Sequence, residues 1–439
     1  MTSTDADPSV GLLHAVAIEV GLIVGGALFS LTGVAVQFTG PGVVVAFTVA
    51  FGIAILGLVP TAMLGAAFPT TGGNYRYPAH FVSRPLAFLS AWGLGVSMFA
   101  GGLPLYALTA GQYVDSLVPV SPTLVGVVLL TLFFGVNLLG VEPAASAQLV
   151  MFVGLVAALG AFVVLGVPNV DPANLRPLFP GGAVGVVTAA GILYFVCLGA
   201  NFVVDIGGDV RDATITIPKS FAISVPLVLA IYASIGIVAV GVAGDAMAGA
   251  TLAVAAEQFL SPGFQSLFVV GGALFAIVTS INAVYIITPK YLEVLADDGL
   301  FPAALAARND RFGTPHWGLL VVYALSVAAL VSPLPIAELG TLLGFGGAFL
   351  VVPVMLAAIH VVRDDDQNVT PPGGLSPRLV AGMAALAIPL NLLLLTLLAA
   401  NSPTVFAGWL GLLAVGAAVY VVRTRNRTQT PTALQSDTP

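Results

Sequence analysis

The chain has 439 residues, of which 58% are hydrophobic and 8% charged, with a net charge of −7 and a mean hydropathy of +1.06. An ordinary soluble domain carries about 25% charged residues, so this composition excludes a water-exposed globular surface and predicts an all-α integral membrane protein. The single cysteine, Cys197, excludes an intramolecular disulfide and a cysteine-built metal site.

Apolar stretches of about 20 residues are long enough to cross about 30 Å of hydrocarbon. The sequence contains about twelve of them, here called spans 1 to 12. They run approximately over 11–37, 42–67, 84–116, 122–140, 144–167, 184–206, 219–243, 263–290, 316–332, 335–361, 378–399 and 403–422. Residues 1–10 lack the basic region of a cleaved signal, so we expect them to be a cytoplasmic terminus and span 1 to be retained.

Basic residues indicate the orientation, because loops rich in lysine and arginine stay in the cytoplasm. With the amino terminus inside, twelve of the thirteen basic residues fall in cytoplasmic segments and Arg176 alone lies outside. One span more or fewer would reverse every later loop. The pattern therefore predicts a multi-pass protein of the plasma membrane with both termini in the cytoplasm and a disordered cytoplasmic tail over 423–439.

Two spans carry glycines near mid-membrane. Span 1 contains Gly25 and Gly26, and each glycine costs about 1 kcal/mol relative to alanine inside a helix. A break there would expose the N–H groups of a half-helix, whose positive end can bind a carboxylate without a basic side chain. Span 6 has a counterpart between Val196 and Asn201, five spans later, as an inverted repeat requires. The alternative is that these glycines only allow close helix packing.

One carboxylate, Glu19, lies well inside span 1. Ionisable residues within the bilayer are functional candidates by default, so Glu19 is a candidate for proton coupling or for contact with a substrate amine. The alternative is that it lies near enough to the cytoplasmic end to stay hydrated.

Five motifs occur in order along the chain. They are Gly21 to Phe29 in span 1, Gly40-Pro41 in the following turn, Phe68 to Tyr77, Gly208 to Asp212 with Ile217-Pro218, and Lys290 to Pro302 with Thr314-Pro315. In these motifs the sequence resembles the amino acid–polyamine–organocation (APC) superfamily of permeases. The resemblance implies a leucine-transporter-like 5+5 inverted-repeat core of ten helices over 11–361, followed by two additional transmembrane helices over 378–422.

The resemblance also implies a central amino acid site between spans 1, 3, 6 and 8. Ile23, Gly25 and Gly26 would present main-chain groups to the substrate carboxylate, and Tyr285 matches an aromatic residue that closes over the substrate. The substrate-binding residues implied in this way are Ile23, Gly25, Gly26, Ala27, Phe195, Gly199, Asn201 and Tyr285. The aromatic residues of span 3, among them Tyr106, are interpreted as packing residues or as anchors at the membrane interface.

Three positions depart from the family pattern. Ala27 replaces a glycine, Met63 stands where a glutamate is frequent, and Asn201 occupies a position that is acidic in several members. Because no buried carboxylate is then expected near span 6 to pair with a side-chain amine, we expect a neutral or apolar amino acid as substrate. Asp209 and Arg211 are expected to anchor the cytoplasmic loop after span 6.

Thr279 and Ser280 lie in the middle of span 8. Their hydroxyls, beside span 1 carbonyls, resemble the sodium site of the leucine-transporter fold, so Na⁺ is a candidate coupling ion beside H⁺. The alternative is that both hydroxyls bond to their own helix. The histidines form no cluster with carboxylates, and no other metal site is predicted.

Together these features predict a secondary active transporter that moves an amino acid by alternating access, with the lipid bilayer and the solute as its partners and no nucleic acid. A polyamine or nucleobase transporter of the same fold, or an amino acid exchanger, is the alternative. A channel or a receptor also remains open. An enzyme would need converging nucleophile, acid and base groups, and the sequence shows none, so no enzymatic activity and no cofactor is predicted.

Overall fold

The computed structural model describes residues 10–425 except 116, 333, 365, 366 and 368, and it leaves the side chains of 27, 30, 141–145, 147 and 148 undescribed. Over these residues the chain forms α-helices with short 3-10 and π segments. The described residues contain two isolated β-bridges and no β-sheet. The predicted all-α membrane fold is confirmed. Most of the predicted tail, 426–439, lies outside the described residues.

Spans 1 to 5 form eight helices. They are α1 (Leu12–Val24), α2 (Gly26–Thr39), α3 (Val43–Ala67), α4 (Gly73–Phe81), α5 (Arg84–Ser97), α6 (Leu103–Asp115), α7 (Pro122–Leu138) and α8 (Val141–Gly166). Span 1 is the pair α1 and α2, and span 3 is the pair α5 and α6 joined by a π segment, Met98–Gly102. The short helix α4 lies in the loop after span 2.

Spans 6 to 12 form the other nine. They are α9 (Gly182–Cys197), α10 (Ala213–Ala243), α11 (Ala253–Phe259), α12 (Pro262–Leu267), α13 (Phe275–Asp297), α14 (His316–Leu330), α15 (Ile336–Arg363), α16 (Pro377–Asn401) and α17 (Pro403–Thr424). Span 6 continues from α9 into a 3-10 segment, Gly199–Asp205. Span 8 comprises α12, a π segment, Phe268–Leu274, and α13.

Nine helical stretches among the described residues are long and apolar enough to cross a membrane by length and composition, and three shorter apolar helices, α1, α7 and α14, accompany them. The predicted spans match these helices, with two differences at the polar ends. Helix α10 begins at Ala213 rather than 219, and α13 ends at Asp297 rather than 290. A helix can continue beyond the hydrocarbon, because its backbone hydrogen bonds form there as well. Hydropathy therefore predicts only the part of a helix that lies in lipid.

The order of irregular segments repeats after five spans. Spans 1 and 6 are interrupted near their middle, and spans 3 and 8 each contain a π segment. This repetition matches the five-plus-five arrangement. The division into a core over 11–361 and two added helices over 378–422 stays a prediction.

Helix α1 lies at the centre of the bundle. It packs against α8, α10, α13 and the 3-10 segment of span 6, and every residue from Ala15 to Val24 is buried. Helices α16 and α17 lie outside this group, where they pack on α3, α5 and α15. The interrupted centre of span 1 is therefore shielded from lipid on all sides.

Candidate functional site

Span 1 is interrupted at Gly25, where α1 ends and α2 begins. A Cβ atom at this position would lie 1.7 Å from the Ser280 hydroxyl oxygen, 2.3 Å from the Gly21 carbonyl oxygen and 2.7 Å from that of Ala276. Such distances exclude any larger residue. The predicted break is confirmed, and the close approach of α13 is the reason that glycine is needed there.

Ser280 bridges the break. Its hydroxyl accepts a hydrogen bond from the Gly26 N–H at 3.0 Å and donates one to the Gly21 carbonyl at 2.9 Å. The first N–H groups of a helix and the last carbonyls have no partner within the helix itself. One side chain of α13 thus joins the last turn of α1 to the first residue of α2.

Thr279 lies beside Ser280 and makes weaker contact with span 1. Its hydroxyl is 2.6 Å from the Ala276 carbonyl oxygen of its own helix and 3.4 Å from the Gly21 carbonyl oxygen. Bonding within the helix is therefore its main interaction in this structure. The carbonyl oxygens of Gly21 and Ala276 and the hydroxyl oxygens of Thr279 and Ser280 nevertheless lie close together beside the break.

The break in span 6 touches the break in span 1. Helix α9 ends at Cys197, and a Cβ atom at Gly199 would lie 2.5 Å from the Ile23 side chain and 2.8 Å from the Ile23 nitrogen. Tyr232 of α10 donates a hydrogen bond to the Ile23 carbonyl. The structure therefore brings the predicted residues Ile23, Gly25 and Gly199 together.

Aromatic side chains flank this centre. Phe195 is buried, and its ring would lie 2.4 Å from a Cβ atom at Gly347 of α15. Tyr106 of α6 approaches Gly26 in the same way, since a Cβ atom there would lie 2.4 Å from its ring. Tyr106, which the sequence predicts to be a packing or interface residue, thus packs against the break, whereas Ala27 falls outside the described side chains.

Two predicted site residues lie away from the break. The side-chain amide of Asn201 donates to the side-chain oxygen of Asn74 at 3.0 Å. Tyr285 lines a small cavity with Asn137 and Leu319, on the side of α13 that faces α7 and α14, and its hydroxyl has no hydrogen-bond partner among the described residues. In this structure neither side chain joins Gly25 and Gly199, so their roles in substrate binding stay predictions.

Glu19 is fully buried in α1. Its two carboxyl oxygens contact the hydroxyls of Ser220 and Ser224 on α10, the first at 2.6 Å. The alternative that Glu19 stays hydrated near the cytoplasmic end is wrong, because α10 covers it. Ser220 and Ser224 are four residues apart in span 7 and therefore lie on the same face of the helix. This spacing is the sequence feature that could have identified them as a pair.

A second buried carboxylate, Asp205, ends the 3-10 segment of span 6. It accepts hydrogen bonds from the Asn74 main-chain N–H at 2.9 Å, from the Asn74 side-chain amide at 2.7 Å and from the Tyr291 hydroxyl at 2.6 Å. The expectation that no buried carboxylate lies near span 6 is wrong, because Asp205 is fully buried inside predicted span 6, as Glu19 is inside span 1. Asp205 ties span 6 to helix α4 and to α13.

Ion pairs surround this group where the predicted cytoplasmic loops meet. Lys290 pairs with Asp209 at 3.1 Å, and Arg84 with Asp298 at 3.4 Å. Burial, and then the Asp298 carboxylate, raise the pKa of the Tyr75 phenol, which therefore stays protonated and donates to Asp298 at 2.6 Å. These contacts agree with the expected anchoring role of the loop that contains Asp209.

Comparison with known proteins places this arrangement in a family. A family model described as "Amino acid permease" matches residues 10–428. An uncharacterized transporter of Mycobacterium tuberculosis is 29% identical over 79% of this chain and 78% of its own. The branched-chain amino acid permease of Bacillus subtilis is 22% identical, over 81% and 82%. The mitochondrial cationic amino acid transporter 3 of Arabidopsis thaliana is 25% identical, over 81% and 62%. The chain, whose two broken spans meet at its centre, therefore belongs to the amino acid permease family within the APC superfamily that its motifs resemble.

Proposed function

We propose that this protein is a secondary transporter that moves a neutral or apolar amino acid across the plasma membrane by alternating access, with both termini in the cytoplasm. The observation that carries the proposal is that span 6 meets span 1 where Gly199 approaches Ile23, two residues before the break at Gly25. Helix ends at this depth present main-chain N–H and carbonyl groups that can bind a carboxylate and an amine without charged side chains.

At the break, a substrate carboxylate can replace the Ser280 hydroxyl as the acceptor of the Gly26 N–H. The Gly26 N–H at the start of α2 bonds to the Ser280 hydroxyl, and a substrate carboxylate is a stronger acceptor for the same group. Because a neutral hydrogen bond contributes only about 1 kcal/mol net, its replacement by a charged acceptor is favourable. Binding and closure would then use the same atoms.

The surroundings favour a substrate with an uncharged side chain. A cationic side chain inside the bilayer needs a carboxylate as partner. Glu19 is engaged by Ser220 and Ser224, and Asp205 by Asn74 and Tyr291. The Tyr106 ring that packs against Gly26 is an apolar neighbour suited to an aliphatic side chain, in agreement with the branched-chain substrate named for one relative.

The oxygens at Gly21, Ala276, Thr279 and Ser280 are hard ligands of the kind that Na⁺ prefers. In this conformation each hydroxyl proton is directed to a carbonyl of the same group. A sodium ion would require both hydroxyls to turn and Ser280 to release Gly26. The oxygen set therefore fits the ion only after such a rearrangement.

The proposal is tested with the purified full-length protein in a thermal-shift screen against the twenty amino acids, with Na⁺ or choline as the cation. A ligand that binds the folded state raises the unfolding temperature. We expect stabilisation by leucine, isoleucine or valine, followed by their uptake into proteoliposomes.

A matched pair of variants relates binding to the break. Gly199→Ala inserts a methyl group against Ile23, whereas Gly52→Ala inserts one where no atom lies within 4 Å. We expect Gly199→Ala to abolish the ligand shift and Gly52→Ala to retain it. Stabilisation by polyamines or nucleobases alone would instead support the alternative solutes and contradict the proposal.

A further inference from the structure

Glu19 contacts two hydroxyl groups of α10, and one of these hydroxyls also contacts a main-chain carbonyl. One Glu19 oxygen lies 2.6 Å from the Ser220 hydroxyl oxygen, and the other contacts the Ser224 hydroxyl. The Ser220 hydroxyl oxygen also lies 2.9 Å from the Ile217 carbonyl oxygen of its own helix. Ser220 therefore stands between two oxygen acceptors, both within hydrogen-bonding distance.

A count of protons decides which form of Glu19 fits these distances. A serine hydroxyl carries one proton, and neither a carbonyl nor an ionised carboxylate carries any. With Glu19 ionised, the two contacts of Ser220 would have to share the single Ser220 proton, which weakens both hydrogen bonds. With Glu19 protonated, Glu19 donates to Ser220, Ser220 donates to Ile217, and Ser224 donates to Glu19, so every contact has its hydrogen.

No charged group of the described elements around α1 neutralises the negative charge that an ionised Glu19 would carry. On the elements packed against α1, Asp205 is bonded to Asn74 and Tyr291, Lys290 is paired with Asp209, and Lys219 of α10 is exposed. The side chain of Glu142 on α8 is outside the described set. No cation on the described part of the chain contacts Glu19. An ionised carboxylate buried without a cation is strongly unfavourable.

We propose that Glu19 is a proton-binding site of the transport cycle. It holds a proton while α1 lies against Ser220 and Ser224, and it releases that proton to water when α1 moves away from α10, leaving a hydrated carboxylate. The proposal rests on the proposed function, because alternating access is what moves α1, and it makes H⁺ the coupling ion.

The protonation state is tested by infrared spectroscopy of the purified full-length protein at neutral pH. We expect the difference between wild type and Glu19→Gln to contain the carbonyl band of a protonated carboxylic acid, which Glu257→Gln, a change at an exposed position, does not remove. In Ser220→Ala, which keeps Glu19 but removes its acceptor, the same band should shift to higher frequency. Carboxylate bands alone in the Glu19→Gln difference would overturn the proposal.

Coupling is tested in proteoliposomes with radiolabelled L-leucine as the probe. For each proton carried, a gradient of one pH unit drives about tenfold accumulation. We expect Glu19→Gln to lose this accumulation and to retain leucine exchange, and Glu257→Gln to retain both. Unchanged pH-driven accumulation in Glu19→Gln would overturn the proposal. If wild type moves no amino acid, the proposed function fails, and the infrared band still decides whether Glu19 binds a proton.

Discussion

The centre of the bundle and the side where the polar loops meet are held together by different kinds of interaction. At the centre, main-chain groups of Gly21 and Gly26 meet the neutral hydroxyl of Ser280. At the polar side, the carboxyl group of Asp205 and the ion pair of Asp209 and Lys290 hold three segments together. Contacts between charged groups, such as that of Lys290 with Asp209, are roughly twice as strong as neutral hydrogen bonds. The contacts at the centre are therefore weaker than the ion pair at the polar side.

This difference also separates two ways in which a substitution can act. At the centre the main-chain atoms are so close that added volume is the most damaging change. At the polar side the groups are paired, so the loss of one partner leaves the others buried and unsatisfied. The following variants test each case, in order of decreasing effect.

Gly25→Ala should have the largest effect. Its methyl group would overlap Ser280 and two main-chain carbonyls, and since backbone atoms cannot move aside, we expect a loss of stability of about 3 kcal/mol or more. The unfolding temperature in detergent measures it. The matched change Gly52→Ala meets open space and should leave the temperature unchanged. A stable Gly25→Ala protein with normal uptake would show that the break is not needed.

Asp205→Ala should have the next largest effect on stability. It removes the acceptor for two donors of Asn74 and for the Tyr291 hydroxyl, and buried groups left unpaired cost about 1–3 kcal/mol each. We expect a lower unfolding temperature and faster proteolysis in the loop that contains α4. Asp245→Ala removes a carboxylate from an exposed position and serves as the control. Equal behaviour of the two variants would contradict a closing role for Asp205.

Ser280→Ala should be milder. It leaves the Gly26 N–H and the Gly21 carbonyl without their bridge, for which we expect a loss of about 1–2 kcal/mol. Ser234→Ala removes a hydroxyl that bonds only to its own helix on an exposed face and should be neutral. If both variants unfold at the same temperature, Ser280 does not hold the two half-helices together.

Tyr285→Phe should have the smallest effect, because the Tyr285 hydroxyl has no partner among the described residues. We expect a change within about 0.5 kcal/mol. The same chemical change at Tyr291 removes a 2.6 Å hydrogen bond to Asp205 and should cost about 1.5–3 kcal/mol. Reduced leucine affinity in Tyr285→Phe, with unchanged stability, would support its predicted role over the substrate.

Local properties of the chain account for what the sequence predicted correctly. The spans follow from runs of apolar residues, and the break at Gly25 follows from a glycine pair inside such a run. The APC resemblance, which the family match confirms, follows from motifs within single loops and spans. Glu19 was identifiable because an ionisable side chain is costly within an apolar run, and Ser280 because its position resembles the sodium site of the leucine-transporter fold.

Only the tertiary structure decided which side chains meet. Asn74 and Asp205 are separated by 131 residues, and Asp205 and Tyr291 by 86, so no local pattern relates them. The direction of a side chain around its helix also depends on packing, and for this reason Tyr285 faces α7 and α14 and Asn201 faces Asn74. Hydropathy determines that a helix lies in the membrane, whereas its rotation and its neighbours depend on contacts between spans that are distant in the chain.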